Sequence, residues 1–132
     1  MDGVTPPDVA DRYRLVSPLG SGAMATVWLA HDTRLNRDVA VKVLDLSASA
    51  DPTALERFRR EAVATAGLTH PNVVSVFDAG IEANRAYLVM SLVSGRSVAD
   101  LIREDGPLPI ATAVSIGSQV AAWCIATSSP PT

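Results

Sequence analysis

Hydrophobic residues recur along this chain with two different periods, and the switches between them mark its elements. From residue 13 the period is two: Tyr13 and Leu15, then Leu19 beyond a break at Ser17-Pro18. After Gly20-Ser21-Gly22, Val27, Leu29 and His31 alternate with Thr26, Trp28 and Ala30, the spacing of a strand. The polar run Asp32-Thr33-Arg34-Leu35-Asn36-Arg37 predicts a hairpin connection. A third strand over residues 38–44 sets Val39, Val41 and Val43 on one face and turns Lys42 to the other, beside Ala40. The period then becomes helical, with Leu55, Phe58, Ala62 and Ala66 near one stripe. Asp51 can cap that helix, Pro52 suits its first position, and Gly67 can end it. His70-Pro71-Asn72 reads as a loop. Strands follow over 73–81 and 86–93, joined around Glu82-Ala83-Asn84. Ser94-Gly95 links to a short helix over 97–103. Gly106-Pro107-Leu108-Pro109 interrupts the chain, and a last helix begins near Ile110.

Three strands, a helix, two strands and two helices predict an α+β fold: a five-stranded antiparallel sheet with one packed helix, then the start of something helical. Residues 1–11, rich in Pro and Asp, read as a flexible leader. The chain has 132 residues and is 48% hydrophobic, which suits a small folded domain rather than a disordered tail. Net charge is −3, from 11 basic and 14 acidic residues that are well mixed. That balance leaves no footprint for nucleic acid and no basic run for anionic lipid. The single cysteine, Cys124, cannot close an internal disulfide, and no signal peptide precedes it, so a cytoplasmic setting is expected. Residues 110–126 carry no charge, but the run is short for a membrane span and contains Thr112, Ser115, Gly117, Ser118 and Gln119. It reads as a helix buried against protein.

The candidate chemistry lies in Leu19-Gly20-Ser21-Gly22-Ala23-Met24-Ala25-Thr26-Val27 and in Val39-Ala40-Val41-Lys42. Glycines let backbone N–H groups approach phosphate oxygens with no Cβ in the way. In a dinucleotide-binding unit a helix springs directly from such glycines. Here the residues beyond them alternate as a strand, and Ala25 stands where that fingerprint has a third glycine. The loop therefore caps a β-hairpin, which by itself could equally be a turn without a ligand. Lys42 on the third strand and Glu61 on the following helix, in Phe58-Arg59-Arg60-Glu61, make a phosphate-holding reading the stronger one.

In that order and spacing, with His70-Pro71-Asn72-Val73-Val74 and Tyr87-Leu88-Val89-Met90, the chain resembles the bacterial serine/threonine protein kinases of the eukaryotic type, from about residue 13 to 122. The resemblance implies ATP as ligand, with magnesium. Gly20, Ser21 and Gly22, within a loop that includes Ala23, Met24, Ala25 and Thr26, would fold over the phosphates. Leu19, Val27 and Ala40 would sandwich the adenine. Lys42 would meet the α- and β-phosphates, held by Glu61. Met90 would guard the back of the adenine pocket, and Ser91, Leu92 and Val93 would form the hinge whose main chain bonds the adenine edge. Ser91 stands where many relatives carry an acidic residue, a departure expected to matter little because the main chain makes those bonds.

The template for transfer also needs His-Arg-Asp with a following Asn, and then Asp-Phe-Gly. Neither His31 nor His70 begins such a loop, and Asp78-Ala79-Gly80 precedes the hinge, so it reads as a strand end and turn. No metal ligand is assigned. The expectation is a small lobe and hinge over 12–93, the start of a larger helical lobe over 94–122, and an aberrant tail over 123–132. Cys124 through Thr132 back-translates, behind the last base of the Trp123 codon, to a neighbouring frame reading Val-His-Arg-Asp-Leu-Lys-Pro-Ala-Asn. A frame break within the gene is therefore expected. The gene's nucleotide sequence checks it, because codons that give no His-Arg-Asp in the shifted frame end the idea. The expected function is the ATP-binding half of an enzyme that phosphorylates protein Ser or Thr, inactive alone. The alternatives are a non-catalytic nucleotide-binding or interaction module, which could dock on an intact kinase, and a decaying gene product.

Overall fold

The computed structural model describes residues 7–21, 25–47 and 52–128. They form five strands and three helices: β1 (Tyr13–Ser21), β2 (Thr26–Asp32), β3 (Arg37–Asp45), α1 (Ala54–Ala66), β4 (Val76–Glu82), β5 (Arg85–Met90), α2 (Val98–Asp105) and α3 (Ile110–Ser128). The chain divides into two compact units. One comprises Met1–Thr69 and Val74–Val93, the other His70–Val73 and Ser94–Thr132. The first holds one five-stranded antiparallel sheet in the order β1-β2-β3-β5-β4.

Alternation along β3 and β5 separates two cores. Val39, Val41, Tyr87 and Val89 join Val9, Tyr13, Leu15 and Ala30 in one cluster. Leu44, Ala86 and Leu88 join Ala54 and Phe58 of α1 in the other. Both faces of the central strands are thus covered, which is why their sequence is apolar on both sides. Edge strand β1 is bulged between Leu15 and Ser17 and again between Pro18 and Gly20. A proline with no N–H to donate is tolerated in such an edge.

Residues 7–11 depart from the leader reading, and residues 1–6 lie outside the described residues. Val9 is fully buried and bridges to Tyr13. The Ala10 N–H donates to the Glu82 carboxylate at 2.7 Å, and Arg85 donates to the carbonyls of Pro7 and Asp8, each at 2.9 Å. Residues 7–12 are therefore fastened across the end of the β4–β5 hairpin. Several element limits also differ from the periodicity. Strand β4 starts at Val76 rather than 73, because Val73 N–H closes a turn onto the His70 carbonyl. Strand β5 leaves the ladder after Met90 rather than 93. Asp78-Ala79-Gly80 lies inside β4, and the turn falls at Ala83-Asn84, both at positive φ as a two-residue hairpin loop requires. Helix α1 begins at Ala54 after Thr53, and Asp51 lies outside the described residues.

On the sheet face opposite α1, the Tyr87 ring lies across Gly80, where a Cβ would come within 2.5 Å of the Tyr87 hydroxyl. Gly80 is thus a packing requirement. Tyr13 donates to the Asp78 carboxylate at 2.9 Å. Burial first, and this bond second, pushes its hydroxyl up to about 12. Burial, with the carboxylates of Asp78 and Glu82, raises Tyr87 too.

In the second unit, Ser97 is the cap of α2 rather than its first residue. Its hydroxyl accepts from Asp100 N–H while the Asp100 carboxylate accepts from Ser97 N–H, a reciprocal capping pair. Gly106 ends α2 at φ +81. Asn72 donates to the Gln119 carbonyl of α3, tying the His70 loop to that helix. Helix α3 leaves Ile110, Val114 and Val120 exposed rather than buried. Among the described residues no helix is long and apolar enough to cross a membrane.

Candidate functional site

Cross-strand register gathers Gly20, Val27, Ala40, Lys42 and Met90 on one face of the first unit, whereas Ser21 and Thr26 fall in the row of Val43, on the other face. Directly paired antiparallel residues share a face. Gly20 pairs with Val27, Val27 with Lys42, and Lys42 with Leu88. The next row is Leu29, Ala40 and Met90. Leu44, two residues beyond Lys42 on β3, packs on that same side against α1. Lys42 therefore points to the helix-bearing face, as alternation with Val41 and Val43 requires.

Helix α1 reaches this face through Phe58, with Ala54 buried beside it and Leu55 and Ala62 partly so. Glu61 lies three residues after Phe58, a helical neighbour on the same side. The Lys42 ammonium donates to both Glu61 oxygens, at 2.9 and 3.1 Å. The lysine side chain is 25% exposed and the glutamate 48%. A partly buried cation is thus held by a carboxylate that still opens to solvent, in the cross-strand row that runs from Gly20 through Val27 to Lys42. The small Ala40, 6% exposed, stands between Leu29 and Met90 in the next row.

The structure places Gly20, Val27, Ala40, Lys42 and Met90 in adjoining rows of one sheet face and brings Glu61 to Lys42, while Ser21 and Thr26 lie in the row of Val43. Ala25 packs against the α1-side cluster. Leu19 sits at the second bulge of β1, half exposed. Gly22, Ala23 and Met24 lie outside the described residues. Ser91, Leu92 and Val93 follow β5 without a partner strand, and Val93 is 69% exposed. The sequence reading overlooked Leu29 as a neighbour of Ala40, although its place two residues after Val27 signals the same face. It also overlooked Ser75, which bonds Ser91 and carries no signal of its own.

Among the described residues no three His, Cys, Asp or Glu side chains converge as a metal cluster. The described side chains thus offer no cluster that fits a resident magnesium ion. An apolar recess of about 420 Å³ lies between α1 and the β4–β5 hairpin, lined by Phe58, Ala62 and Ile81 among others. None of the predicted site residues lines it.

The family model for the protein kinase domain matches residues 13–123. The chain is similar to the serine/threonine-protein kinase PknB of Mycobacterium leprae (strain TN). They are 47% identical over 116 residues, 85% of this chain and 19% of that protein. It is likewise similar to the serine/threonine-protein kinase PrkC of Bacillus subtilis (strain 168), at 39% identity over 112 residues, 85% of this chain and 17% of the relative. The crystal structure of the Mycobacterium tuberculosis PknI kinase domain superposes with a TM-score of 0.73 at 29% identity. The match covers 90% of this chain and 48% of that one. The chain thus spans about a fifth of the length of these curated relatives.

Proposed function

The chain belongs to the protein kinase domain family, and from that premise we propose that its first unit binds ATP as the nucleotide-holding part of a serine/threonine protein kinase. The observation that carries this reading is the ion pair of Lys42 with Glu61, in the same cross-strand row as Gly20 and two residues along β3 from the small Ala40. Glu61 orients the ammonium, and Lys42 meets the α- and β-phosphates. Gly20 and Ser21 bring backbone close to the phosphates. Val27, Ala40 and Met90 enclose the adenine, and the main chain of Ser91, Leu92 and Val93 bonds its edge. The family reading implies magnesium with the nucleotide, and no residue of this chain is assigned to hold it. Protein Ser or Thr is the substrate class of the family reading, and the cytoplasm its setting.

These 132 residues contain no His-Arg-Asp with its following Asn and no Asp-Phe-Gly. The chain alone is therefore proposed to hold ATP without transferring its γ-phosphate. Calorimetric titration with ATP, with and without magnesium, tests the reading. Binding is expected, and Lys42→Ala should weaken it about 10- to 100-fold, the range for hydrogen bonds to charged groups. Equal affinity for both proteins would refute the assignment of Lys42. Phosphate transfer to a generic basic protein, abolished by Lys42→Ala, would refute the absence of turnover.

A further inference from the structure

Strand β5 ends in an irregular step. Its last ladder pair is Met90 with Val76. One residue on, Ser91 N–H donates to the Ser75 carbonyl at 2.9 Å, as in a regular antiparallel pair. In a regular pair the Ser75 N–H would return the bond to the Ser91 carbonyl. It donates to the Ser91 hydroxyl instead, at 3.1 Å. The side chain stands in for its own main chain. Among the described residues, the Ser91 carbonyl accepts no hydrogen bond.

We infer that Ser91 is a positioning residue whose hydroxyl, by taking the Ser75 N–H, keeps the Ser91 carbonyl free to accept a hydrogen bond from the amino group of a bound purine. This rests on the ATP reading above and deepens it. The main-chain step is held in place by the Ser91 N–H bond to Ser75, so the segment is fixed without using the one acceptor the ligand needs. A backbone carbonyl carries two lone pairs, but a ladder bond aligned along the strand-to-strand direction turns the oxygen toward Ser75. Diverting that bond to the side chain leaves the carbonyl orientation to be set by the ligand. Adenine offers an amino donor. Hypoxanthine presents a carbonyl oxygen at the same place and would set acceptor against acceptor, an unpaired contact that discriminates strongly.

Thr at this position keeps a hydroxyl acceptor, and Ala removes it. In the full chain, Ser91→Ala should speed amide exchange at Ser75 and lower ATP affinity about threefold to tenfold, the scale of one hydrogen bond. It should also shrink the preference for ATP over ITP by a similar factor. Ser91→Thr should hold all three within about twofold of the unsubstituted protein. General loosening of the sheet would weaken ATP and ITP alike and leave their ratio unmoved. A Ser91→Ala protein with an unchanged ratio overturns the inference. Failure of the unsubstituted chain to bind ATP at all would refute the nucleotide reading itself, and this role of Ser91 with it. That failure is recognisable because it appears before any substitution is made.

Discussion

Phe58→Ala is expected to destabilise the first unit by about 3–5 kcal/mol, read as a lower midpoint in urea denaturation. Phe58 is 4% exposed, and with Ala54 it is one of only two buried residues on a 13-residue helix. Its ring fills the space among Leu44, Ala86 and Leu88. Domain stabilities are about 5–15 kcal/mol, so the loss is a large share of what holds the fold. A helix of this length is marginal in water by itself, which makes its attachment to the sheet depend on that ring. Detaching α1 also withdraws Glu61 from Lys42, so ATP affinity should fall even in conditions where the sheet stays folded. Phe58→Leu, which keeps most of the volume, should recover much of the loss. Val63→Ala on the same helix, 76% exposed, should change stability by no more than about 0.5 kcal/mol. Equal effects of Phe58→Ala and Val63→Ala would show that α1 is not anchored through this side chain.

Much of this arrangement is legible along the chain because strand and helix periods act on neighbouring residues. Val39, Val41 and Val43 alternate with Ala40 and Lys42, and that alone sends the ammonium to the face that α1 covers. The spacing from Phe58 to Glu61 then brings the carboxylate to the same side. What escaped the reading depends on partners far apart in sequence, or on backbone groups that carry no residue signature. Val9 reads as leader because its burial comes from Tyr13 and from the clamp that Glu82 and Arg85 supply, more than 70 residues away. The start of β4 was misplaced because the His70 turn consumes Val73. The bond between Ser75 and Ser91 joins a main-chain donor to a hydroxyl 16 residues on, and nothing local announces it.

Asp32 is the clearest polar case of the same kind, since it reads as the first residue of a solvated hairpin. It is instead 1% exposed, the one buried polar or charged residue among those described. Arg12 grips it with two bonds of 2.8 Å, from Nε to one carboxylate oxygen and from Nη2 to the other. The first oxygen also accepts from the Arg34 and Leu35 N–H groups, at 3.0 and 3.3 Å. One carboxylate thus closes the β2–β3 turn and fastens the start of β1. The Arg12 guanidinium holds the Asp32 carboxyl well below the usual carboxylate range, helped by the two turn N–H groups and opposed by burial. A depressed folded pKa means stability that is fully present above the unfolded value of about 4 and is lost as pH falls toward the folded one. Asp32→Asn keeps the shape but sets an amide N–H against a guanidinium that can only donate. It should lower the melting temperature at neutral pH by roughly 10 °C, since breaking a buried pair strands the remaining charge. That gap should hold down to about pH 5 and close progressively in stronger acid, where the unsubstituted carboxylate protonates as well. Melting curves of both proteins across the acid range measure it. A gap that stays constant from neutral to strongly acid pH would show that the ionised carboxylate contributes nothing here beyond its shape.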